Sequence, residues 1–185
     1  MTVSVIRDAL PVEAADRARE LFIATKFRRA PFYDIAHFAK CWPSGGFGIP
    51  AHDEEYCTDF HSHDGIPEIE AIISGRIIPL AQKATGKTFT KFSRFYYKLF
   101  AGAHLRLHRD NTHGGRVGFI WHLSKNWAWD WGGLMIAVNG EEASATLPVF
   151  NTVVLLDHKD GLPHCVTQVA PWAKEPRMMV TGILR

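Results

Sequence analysis

Ala103-His104-Leu105-Arg106-Leu107-His108-Arg109-Asp110 has the alternation of a β-strand. Successive strand side chains point to opposite faces, which predicts Leu105 and Leu107 on one face and His104, Arg106, His108 and Asp110 on the other. The same texture extends in both directions from this stretch. Candidate strands fall at 88–100, 103–109, 116–123, 133–139, 152–157, 164–170 and 177–184, rich in Val, Ile, Phe, Tyr and Thr and separated by Gly, Pro, Asn and Asp. Short strands at this spacing predict a sandwich or barrel.

Upstream of Gly86 the pattern is helical. Pro11 suits a first helical turn, after which Ala15, Ala18, Leu21 and Phe22 share a face. A second helix opens at Pro67 with an apolar stripe of Ile69, Ile72, Ile73 and Ile77, and Pro79 is expected to kink or end it. Between them, 31–65 is irregular and rich in Pro and Gly, the kind of long segment that often serves as a lid or binding loop. Helices followed by an all-β body make an α+β plan. We read 1–185 as one domain, with a helical and loop part at 1–87 and a β core at 88–185.

Composition narrows the function classes. The chain has 185 residues, is 46% hydrophobic and 22% charged, and carries a formal charge of +2. That charge is too mild to suggest a nucleic-acid partner, and no apolar run is long enough to suggest a membrane span. Arg7 and Asp8 interrupt the place where a signal peptide would need an apolar core, so a cytoplasmic location is expected. Three cysteines, Cys41, Cys57 and Cys165, without CxxC spacing suggest neither a disulfide framework nor a structural zinc site.

Chemistry concentrates in the histidines. His108 and Asp110, two apart near a strand end, set an imidazole beside a carboxylate. A third ligand from a distant strand would complete the two-His, one-carboxylate facial triad of non-haem iron oxygenases, which leaves positions open for other ligands. His164 is the best third ligand, since it follows Pro163 and opens the alternating run His164-Cys165-Val166-Thr167-Gln168-Val169. A second His-x-Asp, His158-Lys159-Asp160, falls in a turn and is discounted. His61, His63, His104, His113 and His122 are the competing imidazoles.

Taken in order, these pieces resemble the Fe(II)/2-oxoglutarate dioxygenases, in their prolyl-4-hydroxylase-like branch. Tyr97-Lys98-Leu99-Phe100-Ala101-Gly102 resembles the strand leading to the iron site, and His108-Arg109-Asp110-Asn111 the ligand motif. Arg116 to Leu123 with Asn126-Trp127 resembles the next strand and its turn, and Gly132-Gly133-Leu134 the paired-glycine entry that follows. Pro163-His164-Cys165-Val166 resembles the distal ligand motif, and Arg177-Met178-Met179-Val180-Thr181-Gly182 the last strand with its arginine.

The resemblance implies a double-stranded β-helix, or cupin-like jelly roll, with the N-terminal helices packed on one sheet. It implies Fe(II) held by His108, Asp110 and His164, with 2-oxoglutarate and O₂ as co-substrates and ascorbate as a candidate reductant. It places Arg177 on the distal carboxylate of 2-oxoglutarate, where a guanidinium can make two parallel charge-assisted bonds. Thr181 and Tyr97 are candidates for further bonds to it. His122 stands where relatives often carry a pocket tyrosine. Hydroxylation of a C–H bond, with release of succinate and CO₂, is the implied reaction, on a small-molecule, amino-acid or peptidyl substrate. The aromatic residues Trp127, Trp129 and Trp131 and the segment 41–65 are candidates for a lid over it. Two rival readings are a cupin-type dioxygenase that does not use 2-oxoglutarate and a non-catalytic jelly-roll module that binds metal.

Overall fold

The computed structural model describes residues 2–25, 28–29, 59–60, 65–109, 116–157 and 162–185. Two antiparallel sheets face each other. The larger has the order β1-β9-β6-β11-β4-β3-β2, and the smaller β5-β10-β7-β8. The strands are β1 (Thr2–Ile6), β2 (Arg28–Arg29), β3 (Asp59–Phe60), β4 (Phe92–Leu99), β5 (Leu105–His108), β6 (Val117–His122), β7 (Met135–Asn139), β8 (Glu142–Thr146), β9 (Thr152–Asp157), β10 (His164–Val166) and β11 (Arg177–Leu184). From β4 onward eight strands divide four and four between the sheets, which is the expected jelly roll.

Strand alternation divides the apolar residues into two cores. On one face of the larger sheet, Tyr96, Phe119, Trp121, Val153, Leu155, Met178 and Val180 pack against the helices. On the other, Tyr97, Leu99, Ile120, Val154, Leu156 and Met179 meet Met135, Ala137 and Val166 of the smaller sheet. A sheet covered on both faces needs strands without a polar side, which is why β6 is buried at every position.

The helices supply one of those covers. Helix α1 (Val12–Ala24) buries Ala15, Ala18 and Phe22 after Pro11, as expected from the sequence. Helices α2 (Pro67–Ile72) and α3 (Ile78–Thr85) are joined by a π turn at Ile73–Ile77. Pro79 lacks an N–H and would press on the carbonyl four residues back in a regular helix; the wider turn just before it accommodates the ring, so the segment continues instead of ending. Gly86 then closes it in the left-handed region, with φ 70°.

Four strands depart from expectation: the two-residue β2 and β3, which extend the larger sheet beyond β4, and two longer ones. Thr2–Ile6 lies in the part read as helical, yet pairs along its length with β9 at the sheet edge. Glu142–Thr146 carries no β-signal beyond one threonine and is mostly exposed; it is held as a strand by pairing with β7 across the Gly140-Glu141 turn. Asn151 joins the two halves of the chain: its side chain accepts from Leu10 N–H at 3.2 Å and donates to Leu10 O at 2.7 Å. Its φ of 57° is one that asparagine tolerates better than most residues. This fixes the start of β9 and, with it, Thr152.

Strand β11 is the centre of the larger sheet, paired with β4 on one side and β6 on the other. At Gly182 a Cβ would collide with Ser93 O, a backbone atom that cannot move aside, and would lie 2.8 Å from Phe119 Cε1. Gly182→Ala is therefore expected to destabilise the protein by about 1–3 kcal/mol or more, read as a lower urea midpoint. A midpoint equal to that of the wild type would contradict this packing.

Candidate active site

The site is built where the inner faces of the two sheets meet. In β10, His164 is 5% exposed and lies on the same face as Val166, which packs in the inner core. Its Nδ1–H donates to Leu162 O at 2.8 Å, since a carbonyl can only accept. The ring is thereby held in the tautomer whose Nε2 carries the lone pair, the arrangement that metal-binding histidines use.

The backbone sets His108 of β5 directly opposite His164. The register reaches this pairing through an irregularity. Val166 faces Leu105 and His164 faces His108, so two steps on β10 match three on β5. The extra residue breaks the simple alternation expected for this strand. Leu105 packs against the inner core, whereas Leu107 is 39% exposed, so the two leucines do not share a face as expected. A bulge of this kind re-aims the strand beyond it. Asp110, the expected carboxylate ligand, lies outside the described residues, as do His61, His63, His113, the segment 41–58 and the second His-x-Asp at 158–160. Among the described residues no three His, Cys, Asp or Glu side chains converge as a metal site.

Arg177 is the most unusual side chain in the inner core. It opens β11, pairs in register with Leu99, and is 0% exposed. Its Nη1 contacts the Met179 sulfur, while Nε and Nη2 have no hydrogen-bond partner among the described residues. Burial lowers its pKa to about 9. A buried cation with two unused N–H groups is costly unless an anion arrives. Room for the side chain comes from Gly133: a Cβ there would stand 3.0 Å from Arg177 Cδ and 3.2 Å from Trp127 Cζ2. The indole of Trp127 is fixed by donation to Gly132 O at 3.0 Å and by an edge-on contact with Trp131 at 5.2 Å. Of the three tryptophans considered for a lid, Trp127 thus packs inside while Trp129 is 83% exposed.

Around the guanidinium, one row of register partners crosses four strands: Tyr97 of β4, Met179 of β11, His122 of β6 and Thr152 of β9. His122 is wholly buried and neither ring nitrogen has a partner among the described residues; the Thr152 hydroxyl has none there either. Burial, and secondarily the nearby Arg177 charge, hold the His122 pKa well below its ordinary 6.5. Thr181, on the Arg177 side of β11, already donates to Phe119 O at 2.9 Å. Thr152 was not signalled by the sequence. It is the first residue of an otherwise apolar run, and its relation to His122 exists only in the register.

Comparison with known proteins identifies the family and the fold. The family model of the 2OG-Fe(II) oxygenase superfamily matches residues 93–185, half of the chain. The chain belongs to that superfamily. A prolyl-4-hydroxylase from Pseudomonas putida superposes with a TM-score of 0.68 at 14% identity, over 99% of this chain and 92% of the other. A prolyl hydroxylase from Trichoplax adhaerens, solved with a peptide of the hypoxia-inducible-factor oxygen degradation domain, gives 0.67 at 17%, over 98% and 82%. A 2OG-Fe(II) oxygenase family oxidoreductase from Burkholderia pseudomallei gives 0.64 at 13%, over 98% and 83%. At these identities the likeness is one of fold. No curated protein matches the sequence. No described helix is long and apolar enough to cross a membrane.

The buried imidazole gives the superfamily member a specific acid response. Below pH 6.5 an unfolded chain binds a proton at His122 that the folded protein refuses until its lower folded pKa is reached. Stability contributed by this residue is therefore lost as pH falls through that window. His122→Gln is expected to flatten the decline of Tm below pH 6.5 relative to wild type. Parallel curves for the two proteins would show that His122 is not held neutral.

Proposed function

We propose that this superfamily member hydroxylates a C–H bond of a small-molecule, amino-acid or peptidyl substrate, using Fe(II), O₂ and 2-oxoglutarate. The observation that carries the reading is the buried, incompletely partnered Arg177 on the inner face of the larger sheet, which packs against the inner face of the smaller sheet that carries His164. A carboxylate is the ligand that a guanidinium with two unused N–H groups fits best. The histidine pair in register fits a ferrous ion, and Asp110, two residues past His108, supplies the carboxylate of the proposed triad.

When bound, iron supplies O₂ activation and 2-oxoglutarate supplies two electrons, leaving as succinate and CO₂. The chain's own residues do the remaining work. His108, Asp110 and His164 hold the metal, and the Leu162 carbonyl keeps the His164 lone pair in position. Arg177 fixes the far end of the dicarboxylate and so orients its near end, with His122 and Tyr97 as further contacts and Thr181 close by on the same strand. Leu99, Val154, Leu156 and Met179 exclude water from that end of the barrel, which strengthens each charge-assisted bond. The carboxylate ligand favours hydroxylation over halogenation, by resemblance to relatives in which its absence makes room for chloride. The peptide held by one structural neighbour makes a peptidyl substrate reasonable for this chain too. We place the whole of 1–185 in a single catalytic domain.

The test is formation of succinate from 2-oxoglutarate by the Fe(II)-loaded protein. Arg177→Met should raise the KM for 2-oxoglutarate by about 100-fold, the order expected for removing one partner of a buried charge pair. His164→Ala should abolish turnover through loss of iron. A KM unchanged in Arg177→Met would contradict the proposed co-substrate. Iron binding by the wild type without any succinate would favour a binding module.

A further inference from the structure

The anion cradle contains one polar group more than a guanidinium needs to hold a carboxylate, and that group does not reach the anion in the obvious way. Thr152 is 1% exposed, and its hydroxyl is unpartnered although it sits in an inner core of aliphatic residues. A buried hydroxyl without a partner costs about 1–3 kcal/mol, so it is not a neutral substitute for valine. Its partner in register on β6 is His122, equally buried and equally without hydrogen bonds.

The imidazole has a constraint of its own. Beside the Arg177 cation and out of water, it is neutral. Among the described side chains, the other titratable groups on these inner faces are Tyr97, two strands away on β4, and His164, on the same side of β10 as Val166. A neutral imidazole has one N–H and one bare nitrogen. A carboxylate only accepts hydrogen bonds, so toward an anion on Arg177 the ring must present its N–H. The bare nitrogen then needs a donor. Of the two residues in register with His122, Met179 has none to give, and Thr152 has a hydroxyl. Opposed Cβ atoms lie about 4.5–5.5 Å apart, a spacing that a hydroxyl and an imidazole bridge by a change of rotamer.

We propose that Thr152 is a positioning residue for dicarboxylate capture: its hydroxyl donates to one ring nitrogen of His122, fixing the tautomer whose other nitrogen donates to the carboxylate held by Arg177. The inference rests on the proposed binding of 2-oxoglutarate at Arg177. Neither group has a partner among the described residues; an anion that takes the ring N–H commits the bare nitrogen to the hydroxyl. Thr152 therefore strengthens the complex more than the ligand-free fold. A threonine with a purely structural role would stabilise both alike and leave affinity alone.

The test measures 2-oxoglutarate affinity calorimetrically in the anaerobic Fe(II)-loaded protein, together with the Tm of the ligand-free protein and of the complex. Thr152→Val, which keeps the shape and removes the donor, should raise the Kd roughly five- to twenty-fold, the loss of one buried hydrogen bond. Its ligand-free Tm should fall by less than that of the complex. Thr152→Ser should bind within about twofold of wild type, since the same donor remains. In a His122→Phe background, Thr152→Val should change the Kd no further, because there is no ring nitrogen left to receive the hydroxyl. Wild-type affinity in Thr152→Val would overturn the proposal, as would an equal loss in both backgrounds. If the wild type binds 2-oxoglutarate no better than Arg177→Met does, the site reading itself fails and takes this inference with it. If Arg177 matters and Thr152 does not, only the inference fails.

Discussion

A guanidinium enclosed between two β-sheets, with no carboxylate beside it among the described residues, is the constraint from which the rest of this site follows. Charge is expelled from protein interiors unless something compensates for it, and here the described residues around Arg177 offer a thioether, aliphatic side chains and an imidazole held neutral. The fold therefore carries a standing cost that only an anion can relieve. Several features exist to keep that cation in place. Gly133 leaves space for the stem, Trp127 closes over it, and β11 is locked on both sides by β4 and β6. A ligand that neutralises the cation stabilises the folded state in proportion to its affinity, so occupancy and stability are tied together in this protein.

The metal half of the site depends on a different device. Two histidines from separate strands come into register only because β5 takes one residue more than β10 in the same interval. In a regular pairing that keeps Leu105 opposite Val166, Leu107 and not His108 would stand opposite His164. The bulge and the carbonyl of Leu162 serve one purpose from two sides. The first sets position 108 opposite His164 in the backbone register, and the second fixes the proton on the His164 ring. The jelly roll contributes a rigid floor, and its irregularities aim the chemistry.

Much of this was legible in the sequence, and the failures have physical causes. The helix starting after Pro11, the close of the later helical segment at Gly86 and the burial of Arg177 and His164 were readable, because proline, glycine and alternation act locally. The edge strand at Thr2–Ile6 was not, since pairing with β9 some 150 residues away overrides local preference. Nor was β8, whose small and polar residues form a strand through its hairpin alone. The bulge escaped for the same reason: alternation is a property of one strand, while register belongs to two. Thr152 is the sharpest case. Its residue type says little, and its place opposite His122 says most of what matters.

The most direct test of the account is a crystal structure of the protein grown without oxygen in the presence of Fe(II) and 2-oxoglutarate. The account predicts one ion bound by the imidazoles of His108 and His164 and the carboxylate of Asp110, with the distal carboxylate of the ligand paired to the Arg177 guanidinium. An ion bound elsewhere, or a dicarboxylate that leaves Arg177 without an anion, would contradict it.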